Sequence, residues 1–244
     1  PDQARAVKLV ARIPFEEGQE FYYVVETTNA APLDVQLAWV DYPAEAGEQD
    51  SPRLINDLDL TVESLDGATF AYGNGGLEPD TLNNVESVRF ASVPTNRYLI
   101  TVTCSSVLYD HTEGGAAALY IRGAFDPKAP EPQITGRVRI RERPDELYMS
   151  LDKALREVQA GETVEVLAPV TLQMPTRLPA NCAIVATNSN PLASKVAFSS
   201  RAELIVTDGV TLSLSNIALD KGGARTVDVQ IGGQLRIGGV ADLS

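Results

Sequence analysis

Histidine, cysteine and long apolar runs are scarce in this 244-residue sequence, which has one His and two Cys. A single His excludes His-rich zinc sites, and two Cys exclude a CxxC redox pair or a disulfide framework. No run of about 18 apolar residues is present, so no segment is predicted to span a membrane. Basic residues are also few, 20 against 33 acidic ones, and the net charge of -13 disfavours nucleic acid as a partner.

The residues that are present divide the chain in two. Up to Asp126 there are 7 Lys and Arg against 20 Asp and Glu, whereas the remainder has 13 of each. Of the 15 Phe, Tyr and Trp, only Tyr148 and Phe198 follow Asp126. The junction is rich in proline, which favours an extended spacer. We therefore predict a first domain over residues 1–126, a linker over 127–135 and a second domain over 136–244.

The first domain carries short strand patterns separated by turn residues. Most of them alternate with the two-residue period of a strand that has one buried face, and no convincing helix lies between them. This texture predicts an antiparallel β-sandwich of the immunoglobulin or jelly-roll type. The predicted strands are Ala6–Ile13, Glu20–Thr27, Asp34–Val40, Asp59–Ser64, Val85–Ala91, Tyr98–Cys104 and Ala117–Ala124.

Carboxylate and amide side chains are dense in this domain. Asp57 and Asp59 share one strand face, so their like charges need either full solvation or a neutralising partner. Calcium prefers oxygen ligands of this type. Solvated surface acids and turn-forming Asn residues explain the same pattern. The residues concerned are Asp41, Asp50, Asn56, Asp57, Asp59, Asn83, Asn84 and Glu86.

Five ordered motifs over residues 7–125 resemble one known type of domain. They are Val35-Gln-Leu-Ala-Trp-Val-Asp41, Leu54-Ile-Asn-Asp-Leu-Asp-Leu60, Ser64-Leu-Asp-Gly67, Tyr72-Gly-Asn74 and Leu82-Asn-Asn-Val-Glu86. The series resembles the β-sandwich that follows the catalytic domain in secreted bacterial subtilisin-like serine proteases, a relative of the kexin-type P domain. The resemblance implies a jelly-roll-like sandwich that buttresses the catalytic domain and often carries calcium. It points to Asp41, Asn56, Asp57 and Asp59 as the calcium ligands.

A protease active site is not predicted in this chain. A serine protease needs a nucleophile, a base and an orienting acid held together. The single His, His111, lies in a polar loop, and Ser105 and Ser106 follow a strand end with no helix behind them. We expect no catalytic residue here, and an upstream protease domain outside this chain as the partner.

The second domain has one clear helix pattern and an internal repeat. Ser150–Ala160 has an N-cap Ser, an apolar stripe and a terminating Gly161. A shift of 23 residues then places Val206 on Val229, Gly209 on Gly232, Leu212 on Leu235, Leu214 on Ile237 and Ile217 on Val240. A period of this length is typical of solenoids. The region from about residue 145 resembles the opening of a right-handed parallel β-helix of the pectate-lyase type, with the helix as its N-terminal cap; a small second β-sandwich is the alternative.

Together these observations predict an all-β chain, a jelly-roll-like sandwich followed by a short parallel β-helix that we expect to continue beyond Ser244. The leading function is a noncatalytic accessory region of a subtilisin-like protease, secreted or at the cell surface of a bacterium. The first alternative is a calcium-dependent glycan-binding or adhesion module, with Tyr42 and Tyr72 as candidate aromatics and an extracellular protein or polysaccharide as partner. A polysaccharide-active β-helix enzyme is a lesser alternative, because the acids of the β-helix are scattered. Cys104 and Cys182 are expected to be buried thiols.

Overall fold

The chain folds into two compact units, Pro1–Gln133 and Ile134–Ser244. The computed structural model describes residues 6–14, 17–41, 54–107, 116–129, 136–188, 194–199, 202–220, 227–238 and 242–243. Strands dominate both units, and the predicted all-β class is confirmed. Among the described residues, no helix is long and apolar enough to cross a membrane.

The first unit is a β-sandwich of two four-stranded antiparallel sheets. One sheet, sheet A, has the order β1-β8-β3-β6, and the other, sheet B, has the order β2-β7-β4-β5. Numbered along the chain, the strands are β1 (Ala6–Ile13), β2 (Glu20–Glu26), β3 (Ala31–Trp39), β4 (Asn56–Ser64), β5 (Phe70–Tyr72), β6 (Val85–Val93), β7 (Arg97–Val107) and β8 (Ala117–Gly123).

Alternating apolar residues of the two sheets meet in the core, as the strand patterns predict. Val35, Leu37 and Trp39 of β3 are buried on one side, and Leu58 and Leu60 of β4 are buried on the other. The opposite face of β4 differs from the usual solvated face, because Asp59, Thr61 and Glu63 are also almost fully buried. Acidic side chains are therefore placed where water is scarce.

Two features of sheet B were not visible in the sequence pattern. Strand β4 begins at Asn56, three residues before the predicted start at Asp59, because Asn56 and Asp57 already pair with Val107 and Ser106. The short strand β5 lies where no strand was predicted, and it pairs with β4 across a turn at Gly67. Its three residues, Phe70, Ala71 and Tyr72, are too few to show the alternation of a strand in the sequence.

The second unit is a parallel β-helix, as predicted, and the alternative of a second sandwich is not observed. Its coils are built from three parallel sheets, with orders β11-β14-β17-β20, β12-β15-β18-β21 and β13-β16-β19. The antiparallel pair β9 (Val138–Ile140) and β10 (Arg143–Tyr148) covers the first coil at β11. The remaining strands are β11 (Thr163–Val166), β12 (Val170–Leu172), β13 (Thr176–Arg177), β14 (Cys182–Ala186), β15 (Val196–Phe198), β16 (Leu204–Val206), β17 (Thr211–Ser215), β18 (Ala218–Asp220), β19 (Val227–Val229), β20 (Gln234–Gly238) and β21 (Asp242–Leu243).

The 23-residue repeat is the register of the last two coils. Val206 pairs with Val229, Leu212 with Leu235, and Leu214 with Ile237. The turn glycines Gly209 and Gly232 both have positive φ, so each coil turns at the same place. The proposed partner of Ile217 lies outside the described residues.

Helix α1 (Leu151–Glu157) packs on the first coil and is shorter than predicted. The hydroxyl of Ser150 accepts a hydrogen bond from the amide of Lys153, which is the predicted N-cap. The helix ends before Ala160 because Val158 is extended and buried in the core of the β-helix. Burial of Val158 therefore outweighs continuation of the helix.

The last described coil leaves apolar residues in contact with solvent. Leu214 of β17 is 1% exposed, whereas Ile237, which pairs with it from β20, is 50% exposed. The same inward-facing pattern thus continues into β20, beyond which the structure describes no further strand in this sheet.

Candidate functional site

A cluster of four carboxylates lies at one edge of the sandwich. Asp57 and Asp59 come from β4, Asp80 from the loop before β6, and Glu86 from β6 itself. The negative charge of Asp80 raises the pKa of Asp57, Asp59 and Glu86. The charges of Asp57 and Asp59 also raise the pKa of Glu86. We call these four residues the carboxylate cluster.

Glu86 is the most deeply buried member. It lies opposite Leu37 in the β3–β6 ladder and has no solvent exposure. Its Oε2 accepts a hydrogen bond of 2.6 Å from the amide of Leu60, in the middle of β4, while its Oε1 is buried with no hydrogen-bond partner among the described residues. Burial, followed by the charges of neighbouring aspartates, raises the pKa of Glu86 to about 9 despite the Leu60 amide, which lowers it.

Gly73 provides the space for this carboxylate. It opens the short 3-10 turn Gly73–Gly75 that follows β5. A Cβ at this position would lie 2.7 Å from Cδ and 2.8 Å from Cβ of Glu86. The Tyr72-Gly-Asn74 motif therefore places its glycine against the buried acid.

Asp59 and Asp57 continue the cluster along β4. Asp59 is 5% exposed; its Oδ2 accepts a hydrogen bond from the hydroxyl of Ser105, and its Oδ1 is buried with no partner among the residues that the structure describes. Burial raises the pKa of Asp59 to about 7, with the Ser105 bond lowering it and the charges of Asp57 and Asp80 raising it. Burial and then the charges of Asp80 and Asp41 raise the pKa of Asp57 to about 6, and its Oδ1 also has no partner within the described ranges.

Asp80 is held by its own loop. Its carboxylate accepts hydrogen bonds from the side-chain amides of Asn74 (2.5 Å) and Asn83 (2.7 Å) and from the backbone amide of Leu82 (2.9 Å). Desolvation raises its pKa, but these bonds outweigh that effect and leave the pKa below its usual value. Asp80 is therefore the member that stays ionised most readily.

Of the four residues predicted as calcium ligands, Asp57 and Asp59 belong to the carboxylate cluster. The other two, Asp41 and Asn56, are not among its four members and form hydrogen bonds that stabilise the fold. The Asp41 carboxylate accepts hydrogen bonds from the amides of Ile55 (2.8 Å) and Asn56 (3.0 Å), so it fixes the start of β4. Asn56 is fully buried, and its carbonyl accepts a hydrogen bond of 3.0 Å from the indole of Trp39.

Asp80 was missed at the sequence level, and Glu86 was noted among the acids but not chosen as a ligand. Both are separated from Asp57 and Asp59 by more than 20 residues. The one local signal is the glycine of Tyr72-Gly-Asn74, which makes room for Glu86.

The chemistry of the cluster fits a hard cation. Three buried carboxylate oxygens, on Asp57, Asp59 and Glu86, have no hydrogen-bond partner among the described residues, and a bound cation would compensate them. Within the described residues, no three His, Cys, Asp or Glu side chains already surround a common point as ligands would. Cation binding would therefore need these carboxylates to reorient, with other oxygens completing the roughly six to eight ligands that calcium takes.

Other residues singled out in the sequence lie elsewhere. Tyr72 is 3% exposed, so the prediction that it offers an exposed sugar-binding ring is wrong: its ring packs edge-on to Phe70 inside the sheet edge. Tyr42 and His111 lie outside the described residues. Cys104 and Cys182 form no disulfide and both are buried, and burial raises the pKa of the Cys182 thiol to about 11.

Comparisons with known proteins give no family assignment. No family model matches the sequence, and no curated protein does. A solved structure of a protein from Sulfurospirillum deleyianum is similar to 50% of this chain over 99% of its own length, with 8% identity and a TM-score of 0.30. The catalytic domain of a GH87 alpha-1,3-glucanase in complex with nigerose is similar over 93% of this chain and 47% of its own, with 12% identity and a TM-score of 0.24. At these TM-scores neither likeness carries a functional argument.

Proposed function

We propose that this chain is a noncatalytic accessory region of a secreted bacterial subtilisin-like serine protease, in which calcium at the carboxylate cluster rigidifies the sandwich. The observation that carries the proposal is that Asp57, Asp59 and Glu86 each have a buried carboxylate oxygen with no hydrogen-bond partner in the part of the chain that the structure describes. The order of sequence motifs, from Val35 to Glu86, supports the protease context. The β-helix would act as a spacer or a contact surface for extracellular protein or polysaccharide.

Calcium would supply positive charge that the described cluster lacks. Like charges in a dry site push pKa values up, and a bound cation favours the ionised carboxylates instead. Asp57, Asp59 and Glu86 are the residues that would hold the ion, while Asp80, fixed by Asn74 and Asn83, would add negative charge to the site. Neutralisation would join β4 of one sheet to β6 of the other.

Thermal unfolding with calcium or with excess chelator tests the cation. The chain has one Trp, Trp39, which is buried in the sandwich, so its fluorescence follows the unfolding of that unit. A ligand at 100 times its dissociation constant that binds only the folded state adds about 2.7 kcal/mol to the free energy of unfolding. We expect the Trp39 transition to rise by several degrees in calcium.

Two variants and one control localise the effect. Glu86→Gln and Asp59→Asn remove a ligand charge while keeping the side-chain shape, and both should abolish the calcium shift. Since Glu86 has a raised pKa, the neutral Gln resembles its protonated form and should fold in chelator. Glu26→Gln, at an exposed acid of β2 paired with Arg97, should leave the shift intact. No shift in the unmodified chain, or a shift that survives Glu86→Gln, would refute the cation site.

The protease context needs a separate experiment. The chain should be produced together with a subtilisin-like catalytic domain taken from a protease that carries the same motifs, and the thermal half-life of peptidase activity should be measured. A longer half-life with the unmodified chain than with Glu86→Gln supports the accessory role. An unchanged half-life contradicts it.

A further inference from the structure

The outer face of sheet A contains a polar groove that the carboxylate cluster does not use. Two rows of residues cross the four strands in register. One row is Val7, Arg122, Asp34 and Arg89, and the next is Leu9, Tyr120, Gln36 and Ser87. Six of these residues line a cavity of about 340 Å³, namely Asp34, Gln36, Ser87, Arg89, Tyr120 and Arg122.

The groove is a local excess of positive charge in an acidic unit. Arg89 and Arg122 are two of only seven Lys and Arg up to Asp126. They flank Asp34, the one acid in the groove, from the two neighbouring strands. Nε of Arg89 lies 3.0 Å from the Asp34 carboxylate. Among the described residues, no ion pair engages Arg122, whose guanidinium is therefore open to an anionic ligand.

The second row adds the groups that recognise a sugar ring. Tyr120 is half-buried on β8. Its cross-strand neighbours are Leu9, which is apolar, and Gln36, which is polar. Leu9 is 66% exposed and Val7 is 48% exposed, which extends the row with an apolar rim. Gln36 supplies an amide beside it, and the oxygen of the Ser87 hydroxyl, which donates to Oδ1 of Asn74, can still accept a hydrogen bond. Guanidinium groups bind carboxylates with paired, charge-assisted hydrogen bonds.

We propose that this groove binds an acidic saccharide, with a uronic acid carboxylate on Arg122 and the sugar ring against Tyr120. A uronic acid combines the three chemistries that the two rows present: a carboxylate, hydroxyl groups and an apolar ring face. The site uses none of the four carboxylates of the cluster, although Ser87 donates a hydrogen bond of 3.4 Å to Oδ1 of Asn74, the residue that also holds Asp80.

Binding should be measured by calorimetry on the full chain in excess chelator, so that calcium binding at the carboxylate cluster does not contribute to the measured heat. The probe is a tetramer of galacturonic acid, with maltotetraose as the neutral sugar and tetraglutamate as the acidic peptide. We expect binding of the galacturonate tetramer alone. No binding of that tetramer, or equal binding of tetraglutamate, would overturn the proposal, the latter because it would indicate a peptide carboxylate as the ligand.

Single variants then test the geometry. Arg122→Gln should weaken galacturonate binding at least about tenfold, since it removes a charge-assisted pair. Tyr120→Ala should weaken it as well, and Arg97→Gln, an exposed cation of sheet B, should not. Both groove residues are at least partly exposed, so we expect both variants to fold. An unchanged Trp39 unfolding transition would show that the sandwich is intact. Equal loss in Arg122→Gln and Arg97→Gln would indicate general charge attraction and contradict a built site.

Discussion

Gly73 and Glu86 show how one residue without a side chain permits another to be buried. Substituting Gly73→Ala would push a Cβ into the Glu86 side chain, which is packed and cannot swing into solvent. We expect the free energy of unfolding of the sandwich to fall by about 1–3 kcal/mol, the usual cost of overpacking. Denaturant titration followed by Trp39 fluorescence measures it.

The double variant separates this cause from a general loop effect. In Glu86→Gly, which removes the Cβ of residue 86 as well as its carboxylate, the space is open, so Gly73→Ala should cost little in that background, and the two substitutions should be clearly non-additive. Additive costs would show that Gly73 acts through something other than Glu86.

At this scale the sequence could predict part of the site. Asp57 and Asp59 could be identified because they alternate with Leu58 and Leu60 on one strand. The place of Asp80 and Glu86 beside them could not be predicted, since Asp80 lies in a loop without a periodic pattern and the pairing that brings β6 near β4 is not written in the local sequence. The burial of Glu86 could not be predicted from the sequence either, because a charged residue in an alternating strand is normally expected to face water.

Among the secondary-structure elements, helix α1 is fastened to the first coil by one buried carboxylate. Asp152 is 4% exposed and accepts hydrogen bonds from the amides of Gln173 (3.0 Å) and Met174 (3.1 Å). We expect Asp152→Ala to lower the free energy of unfolding of the β-helix by about 2–3 kcal/mol, because hydrogen bonds to charged groups are strong and the two amides lose their partner.

Far-UV circular dichroism, which reports both units, should detect this loss while the Trp39 signal stays unchanged. Lys153→Ala is the matched control, since Lys153 contributes its backbone amide to the cap and keeps it in the variant. A shift in the Trp39 transition equal to that of the dichroism signal would contradict a local role.

Strands β17 and β20 offer a second comparison, between paired residues with the same orientation. Leu214→Ala should cost about 2–5 kcal/mol, because it opens a cavity in the core of the β-helix. Ile237→Ala, at its register partner, should change the free energy of unfolding by no more than about 0.5 kcal/mol, because Ile237 is half exposed. Equal losses in the two variants would show that β20 is covered in solution.

The fold of these elements was largely predictable. The β-helix register followed from the spacing of Val206, Gly209 and Leu212, since stacked coils demand similar residues at equivalent places. The end of α1 was not predictable, because Val158 fits an apolar helix stripe as well as it fits the core position that it occupies.

For the whole molecule, the sandwich and the β-helix should respond differently to pH. In chelator, Glu86, Asp59 and Asp57 have folded-state pKa values raised above those of the unfolded chain. The folded state therefore binds more protons between about pH 4 and 9, and its stability falls as the pH rises through this range. We expect the Trp39 transition temperature to decline from about pH 5 to pH 9.

Calcium should reduce this decline, because the ion favours the ionised carboxylates. Glu86→Gln in chelator should flatten the slope above about pH 7, where Glu86 is the remaining titrating member. The Glu26→Gln variant should keep the full slope. A transition temperature that rises with pH in chelator would contradict the assigned protonation of the cluster.

The coils of the β-helix differ in length although their strands stay in register. Thr163 pairs with Ala183, Cys182 with Leu212 and Thr211 with Gln234, so successive coils advance by 20, 30 and 23 residues along the same sheet. The extra residues lie in the segments between strands, while the strands themselves stay in register. During evolution, insertions and deletions between the strands of such a domain can therefore accumulate with little disturbance of the core.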